Sequence, residues 1–105
     1  MSTKYQVKIT SIASNDLYEI YSYIAETLFA ETSAKNLMRE IDNAITSLNE
    51  MPYRYSLSLD KTLRGKGYRR VVIKSYVILF QVNEKDKIVT VVRVFHSSMN
   101  YTKYI

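Results

Sequence analysis

The chain has 105 residues, no cysteine and a formal net charge of +5 at neutral pH. This length fits one domain, 1–105, and 47% hydrophobic residues can form its core without disulfides. The absence of cysteine excludes disulfides and thiolate metal sites, and no stretch approaches the roughly 18 apolar residues of a membrane span. The alternating start, MSTKYQVKIT, is typical of a strand rather than a signal peptide, so a cytoplasmic location is expected.

The charge is divided unevenly along the chain. Residues 1–50 contain four basic and seven acidic side chains, a net of −3, whereas residues 51–105 contain eleven basic and three acidic ones, a net of +8. This asymmetry predicts a polyanionic partner, nucleic acid or an acidic protein segment, or else a merely solvated basic face. One continuous positive surface is expected from the seven basic residues between positions 54 and 74, which are Arg54, Lys61, Arg64, Lys66, Arg69, Arg70 and Lys74.

Two amphipathic helices are predicted in the first half of the chain. Ser14-Asn15-Asp16 offers N-cap chemistry and early negative charge, and apolar residues then recur at spacings of three and four as far as Leu28. A second stripe opens near Thr32 and ends at Pro52, because the residue before a proline disfavours helical geometry. The linker 29–31 is short, which predicts an antiparallel helical hairpin.

Strands are predicted on both sides of this hairpin. Residues 4–9 alternate polar and apolar side chains, and residues 53–67 are interpreted as a loop. Strands follow at 68–74, 76–82 and 87–96, and Arg70 and Lys74 are expected on the outward face of the first of them. The predicted fold is α+β with the order β-α-α-β-β-β: an antiparallel sheet, extended by the first strand, packed on the N-terminal hairpin.

Several local strings resemble the RelE/ParE family of toxins from bacterial toxin–antitoxin modules. The first helix, DLYEIYSYIAETL (16–28), is similar to the family's Asp-Leu-x-x-Ile-x-x-Tyr pattern, and the second helix ends in LNEMP (48–52). LRGKGYRR (63–70) and RVFHSSMNY (93–101) resemble strings of ParE-type members and favour that branch. The resemblance covers nearly the whole chain and implies a toxin that a co-expressed antitoxin silences.

The two branches imply different targets. ParE-like toxins block DNA gyrase, whereas RelE-like toxins cut mRNA, usually on the ribosome. Positions that often carry arginine in RelE-like enzymes fall at Val77 and near Ser97, which favours a non-catalytic gyrase inhibitor. A ribosome-dependent or free endoribonuclease stays open, as does a non-toxic, antitoxin-binding member. RNA cleavage needs a base, an acid and a cation at the phosphorane, which could be assembled from Arg70, Lys74, Arg93, His96 and Tyr101.

The remaining expectations concern contact residues. His96 is the single histidine and has no second ligand spaced with it, so no metal and no cofactor are expected. A lone histidine at a strand end is more often a structural hydrogen bonder than a catalyst. Asp16 and Glu19 are interpreted as helix-start charges. Target contact is expected from Arg64, Lys66, Arg69, Arg70, His96, Met99 and Tyr101, although Tyr101 and Tyr104 could instead pin the terminus to the core. An antitoxin segment that folds on binding is expected to cover Tyr18, Tyr23, Leu37 and Met51.

Overall fold

The computed structural model of the chain describes residues 4–99. Their elements are β1 (Gln6–Ile9), α1 (Ser11–Ser22), α2 (Glu31–Thr46), α3 (Lys61–Gly65), β2 (Arg69–Ile73), β3 (Tyr76–Asn83) and β4 (Ile88–His96). A π-helical turn, Tyr23–Thr27, extends α1, and 3₁₀ turns occupy Ser47–Asn49 and Pro52–Arg54. The α+β class and the predicted order of the strands and the two long helices are confirmed.

The four strands form one mixed sheet in the order β1-β4-β3-β2. The strands β2, β3 and β4 form the predicted antiparallel meander, but β1 pairs with β4 in parallel, so the sheet is not antiparallel throughout. Parallel pairing requires a long connection, which the helical hairpin and the first two strands of the meander provide. Opposite Leu79 and Phe80 a bulge shifts the register of β4.

One face of the sheet packs against the helical hairpin and forms the main core. Phe80 and Val91 from the sheet meet Leu37 and Ile41 from α2 in this core. Leu37 is only 5% exposed, so the expectation that it faces an antitoxin is wrong. The physical reason is its spacing: Leu37 lies four residues before Ile41 and therefore belongs to the buried stripe of α2.

The ends of the short elements differ from the predicted ones. Thr10 caps α1 by accepting the Ala13 N–H at 3.0 Å, so the helix starts before the predicted cap at 14–16. The segment 53–67, predicted as a loop, contains α3, which Asp60 caps by accepting the Leu63 N–H at 3.0 Å. Leu63 packs on the second sheet face, away from the hairpin.

Among the described residues, the helices are too short or too polar to cross a membrane.

Candidate functional site: a cleft between α1 and the end of β4

A mostly buried ion pair joins α1 to the end of β4. Beyond Val91 the strand has no further partner residue in β1, and α1 lies along this edge instead. The Asp16 carboxylate accepts hydrogen bonds from Arg93 Nε at 2.8 Å, Arg93 Nη2 at 3.0 Å and the Val94 N–H at 2.9 Å. Asp16 is therefore not a helix-start charge but the group that neutralises Arg93 and satisfies the open strand edge.

A cleft of about 360 Å³ opens beside this ion pair, a volume near the lower end for ligand pockets. We call it the α1–β4 cleft. Its walls are mainly apolar and carry two tyrosines, two acids, one arginine and the histidine. The lining residues are Asp16, Glu19, Ile20, Tyr23, Tyr76, Arg93, Val94, Phe95, His96 and Met99.

His96 stands at the mouth of this cleft with partners on two sides. Its ring lies edge-on to Tyr76, with the centroids 5.3 Å apart. Its Nδ1 accepts the Ser98 N–H at 3.1 Å and lies 2.8 Å from Ser98 Oγ. With Nδ1 accepting, Nε2 is the ring nitrogen that can donate.

Tyr76 lines the cleft next to His96 as a neutral phenol. Burial raises the pKa of Tyr76 above its ordinary value of 10.0, and the neighbouring Tyr23 raises it further. At neutral pH Tyr76 therefore keeps its proton.

The residues nominated for RNA cleavage do not all lie in one site. Arg93 is paired with Asp16, and Lys74 Nζ lies 3.5 Å from Glu40 on α2. Lys74 adopts a left-handed backbone, φ 54°, which ends the strand alternation; the expectation that it faces outward with Arg70 is therefore wrong. Tyr101 lies outside the described residues.

Arg70 occupies the sheet face opposite the hairpin. Its strand register places it opposite Leu79, whose side chain packs with Leu63 of α3. The Arg70 Nε is buried and has no hydrogen-bond partner within residues 4–99. Arg70 is thus separated by the sheet from the Lys74–Glu40 pair.

The predicted continuous positive surface is divided between the two faces. Arg69 lies opposite Phe80 on the hairpin side, donates to the Tyr55 carbonyl at 2.7 Å and stacks over Tyr53. Arg54 is also engaged, since it stacks over Tyr55 and donates to carbonyls that follow α2. A smaller exposed set remains at α3, and we call it the α3 basic group: Lys61, Arg64 and Lys66.

Comparison with known proteins decides the family. The sequence model described as "ParE toxin of type II toxin-antitoxin system, parDE" matches residues 7–101. This chain belongs to the ParE toxin family. The matched range includes α1 and β4, so the Asp16–Arg93 pair and the α1–β4 cleft lie within the ParE-type domain.

Two solved toxin–antitoxin structures share the fold of this ParE-family toxin. The chromosomal ParDE system from P. aeruginosa matches with a TM-score of 0.73 at 18% identity, over 90% of this chain and 98% of that one. The RelBE2 complex from Mycobacterium tuberculosis matches with a TM-score of 0.61 at 21% identity, over 90% and 92% of the two chains. No curated protein sequence matches the chain.

The sequence pattern did not identify every residue of the ParE-type cleft. Glu19 and Tyr76 line it, although the sequence predicted a helix-start charge and a strand residue. The signal was present: Asp16, Glu19 and Tyr23 are spaced three and four apart, which places them on one helix face. Tyr23, nominated for antitoxin contact, also lines the cleft, and Tyr18 and Met51 are exposed as expected.

Proposed function

We propose that this ParE-family toxin inhibits DNA gyrase by binding and does not cut RNA. The observation that carries the proposal is the Asp16–Arg93 pair, with Nε and Oδ2 2.8 Å apart. Arg93 is the arginine that lines the cleft beside His96. Its positive charge is already neutralised by the Asp16 carboxylate. A phosphodiester at this position would meet the Asp16 carboxylate and gain little stabilisation of its transition state.

Inhibition by binding does not require a catalytic arrangement of side chains. It requires surfaces that fit the target, and it does not need an acid, a base and a cation at one point. The α3 basic group suits phosphates of the DNA that gyrase holds, because lysine and arginine position a protein on a nucleic-acid backbone. Of the residues nominated for target contact, Arg64, Lys66, Arg70, His96 and Met99 remain in the proposal, together with Tyr101.

Parallel assays test this function. Purified toxin is added to gyrase with relaxed plasmid, and separately to ribosomes that translate a defined mRNA. We expect supercoiling to stop and cleaved DNA to accumulate, while the mRNA stays intact. Cut mRNA with unaffected supercoiling would refute gyrase inhibition, and inactivity in both assays would indicate a non-toxic, antitoxin-binding member.

One observation favours the endoribonuclease as a second candidate. His96 is exposed at the cleft mouth, in the same cleft as Arg93 and the neutral phenol of Tyr76. If RNA binding displaced Asp16, these three groups would supply a cation and two proton carriers. Removing one proton carrier typically lowers a rate by about 10²–10⁴-fold, so His96→Gln in the mRNA assay distinguishes the two candidates.

An antitoxin is the second partner in this proposal. We infer that one of its segments, disordered alone, folds over exposed apolar residues that include Tyr18, Tyr23 and Met51. Opposite charge speeds encounter with a protein of net charge +5, whereas apolar contacts slow dissociation. Surface plasmon resonance at rising salt should therefore show a falling association rate and a nearly constant dissociation rate. An association rate that does not change with salt would contradict a role of charge in the encounter.

A further inference from the structure

The tip of the helical hairpin presents an aromatic side chain to solvent. Phe29 is 90% exposed, and its neighbour Leu28 is also exposed. Two backbone hydrogen bonds close the turn: Leu28 N–H donates to the Tyr23 carbonyl at 3.1 Å, and Ala30 N–H to the Ile24 carbonyl at 3.0 Å. The ring is therefore held outward by a hydrogen-bonded turn.

The backbone of Phe29 makes phenylalanine an unfavourable choice for folding alone. Its φ of 53° lies in the left-handed region, where glycine and asparagine are tolerated and bulky residues are strained. At 90% exposure the ring gains almost nothing from packing inside the toxin. Strained residues of this kind occur where function requires the side chain, and π-helical turns such as Tyr23–Thr27 also occur frequently at functional sites.

We propose that this hairpin tip, Glu26 to Glu31, is the contact with the protein part of the target. Phe29 would enter an apolar pocket of the target, and lysine or arginine side chains around that pocket would face Glu26. The inference rests on the proposed function, since it takes gyrase as the target.

Charge identifies the occupant of this docking site. Residues 9–34 contain four acidic and no basic side chains, in a protein whose net charge is +5. Arg93 pairs with Asp16, and Lys35 Nζ lies 3.1 Å from Glu31, so the negative charge beside Phe29 comes mainly from Glu26. At the tip itself, Glu26 would repel a negatively charged antitoxin segment, whereas the antitoxin contacts proposed at Tyr18 and Tyr23 lie outside the tip. An enzyme that holds DNA carries basic surfaces for the phosphates, and such a surface complements Glu26. The tip and the α3 basic group would then contact the protein and its DNA, respectively.

The decisive variant is Phe29→Asn. Asparagine adopts the left-handed conformation more readily than phenylalanine, so the melting temperature should stay or rise. The concentration that half-inhibits gyrase should increase on the order of 10-fold or more, as for a central interface anchor. Antitoxin affinity should not change. Phe29→Tyr, which keeps the ring, and Leu59→Asn, at another exposed apolar residue, should both inhibit like the unmodified toxin.

The outcomes separate the two proposals. Failure of the unmodified toxin to inhibit gyrase would refute the proposed function, and the tip inference with it. Inhibition by a folded Phe29→Asn toxin at the original concentration would overturn the tip inference alone. Loss of antitoxin affinity or of self-association in Phe29→Asn, with gyrase inhibition intact, would assign the tip to that other partner and also overturn it.

A charge variant keeps the test valid should Phe29→Asn fold poorly. Glu26→Lys leaves the backbone at Phe29 unchanged and reverses one charge beside it. Gyrase inhibition should weaken in this variant, most strongly at low salt. Undiminished inhibition at low salt would contradict the proposal that basic side chains of the target surround the pocket for Phe29.

Discussion

Removing the Asp16 carboxylate tests how α1 is attached to the end of β4. In Asp16→Ala, Arg93 loses hydrogen bonds of 2.8 and 3.0 Å, and the Val94 N–H loses its acceptor at 2.9 Å. Leaving a donor unsatisfied costs about 1–3 kcal/mol, and breaking a buried ion pair about 3–5 kcal/mol. Because Arg93 keeps 18% exposure and Asp16 11%, water restores part of this loss. We expect the free energy of unfolding to fall by about 2–4 kcal/mol.

Urea unfolding of a double-mutant cycle measures this effect. Arg93→Met removes the charge and keeps an apolar stem, and the pair should show a coupling energy of about 1–3 kcal/mol. Asp16→Asn keeps an acceptor for Val94 and should lie between Asp16→Ala and the unmodified protein. The matched control is Glu50→Gln, whose exposed pair with Lys4 spans 3.8 Å; it should change stability by less than about 0.5 kcal/mol. A loss below about 1 kcal/mol in Asp16→Ala, or strictly additive effects, would refute the reasoning.

Leu37→Ala should lower the free energy of unfolding by about 2–5 kcal/mol, whereas Met51→Ala should change it little and weaken antitoxin binding in a calorimetric titration. Because the pKa of Tyr76 is raised in the folded state, the unfolded chain ionises first and stability should fall above about pH 10; Tyr76→Phe should reduce this loss in urea unfolding at alkaline pH. His96→Gln should retain much of the growth arrest, because binding needs no proton transfer; lost toxicity together with lost RNA cleavage in a folded variant would favour the nuclease. Deleting residues 99–105 should reduce growth arrest sharply, and the thermal transition of the variant serves as the folding control.

Local patterns predicted the main elements of the fold because their periodicity follows directly from burial. The apolar stripe that contains Ile41 predicted α2, and the apolar run that begins at Tyr76 predicted the central strand β3. The direction of β1 was not predictable in this way, because alternation reports which face is buried and not which neighbour pairs. The five-residue helix α3 is too short for a periodic signal, although Asp60 carried a capping signal.

The site was less predictable, since its contacts join distant parts of the chain. Asp16 and Arg93 are 77 residues apart, and only the tertiary fold brings them together. Tyr76 and His96 become neighbours through the register of β3 and β4. At Lys74 a left-handed turn residue overrides the strand alternation that had placed it outward. Residue types therefore identified candidate chemistry, and the backbone path determined which groups meet.

We propose that this ParE-family toxin acts on gyrase without catalysis. The most direct measurement titrates purified toxin into gyrase, plasmid and ATP, and quantifies both supercoiling and cleaved plasmid. Non-catalytic binding predicts that inhibition saturates at a fixed ratio of toxin to gyrase and is reversed when antitoxin is added. Inhibition by far less toxin than gyrase, or intact supercoiling alongside cut mRNA, would contradict it.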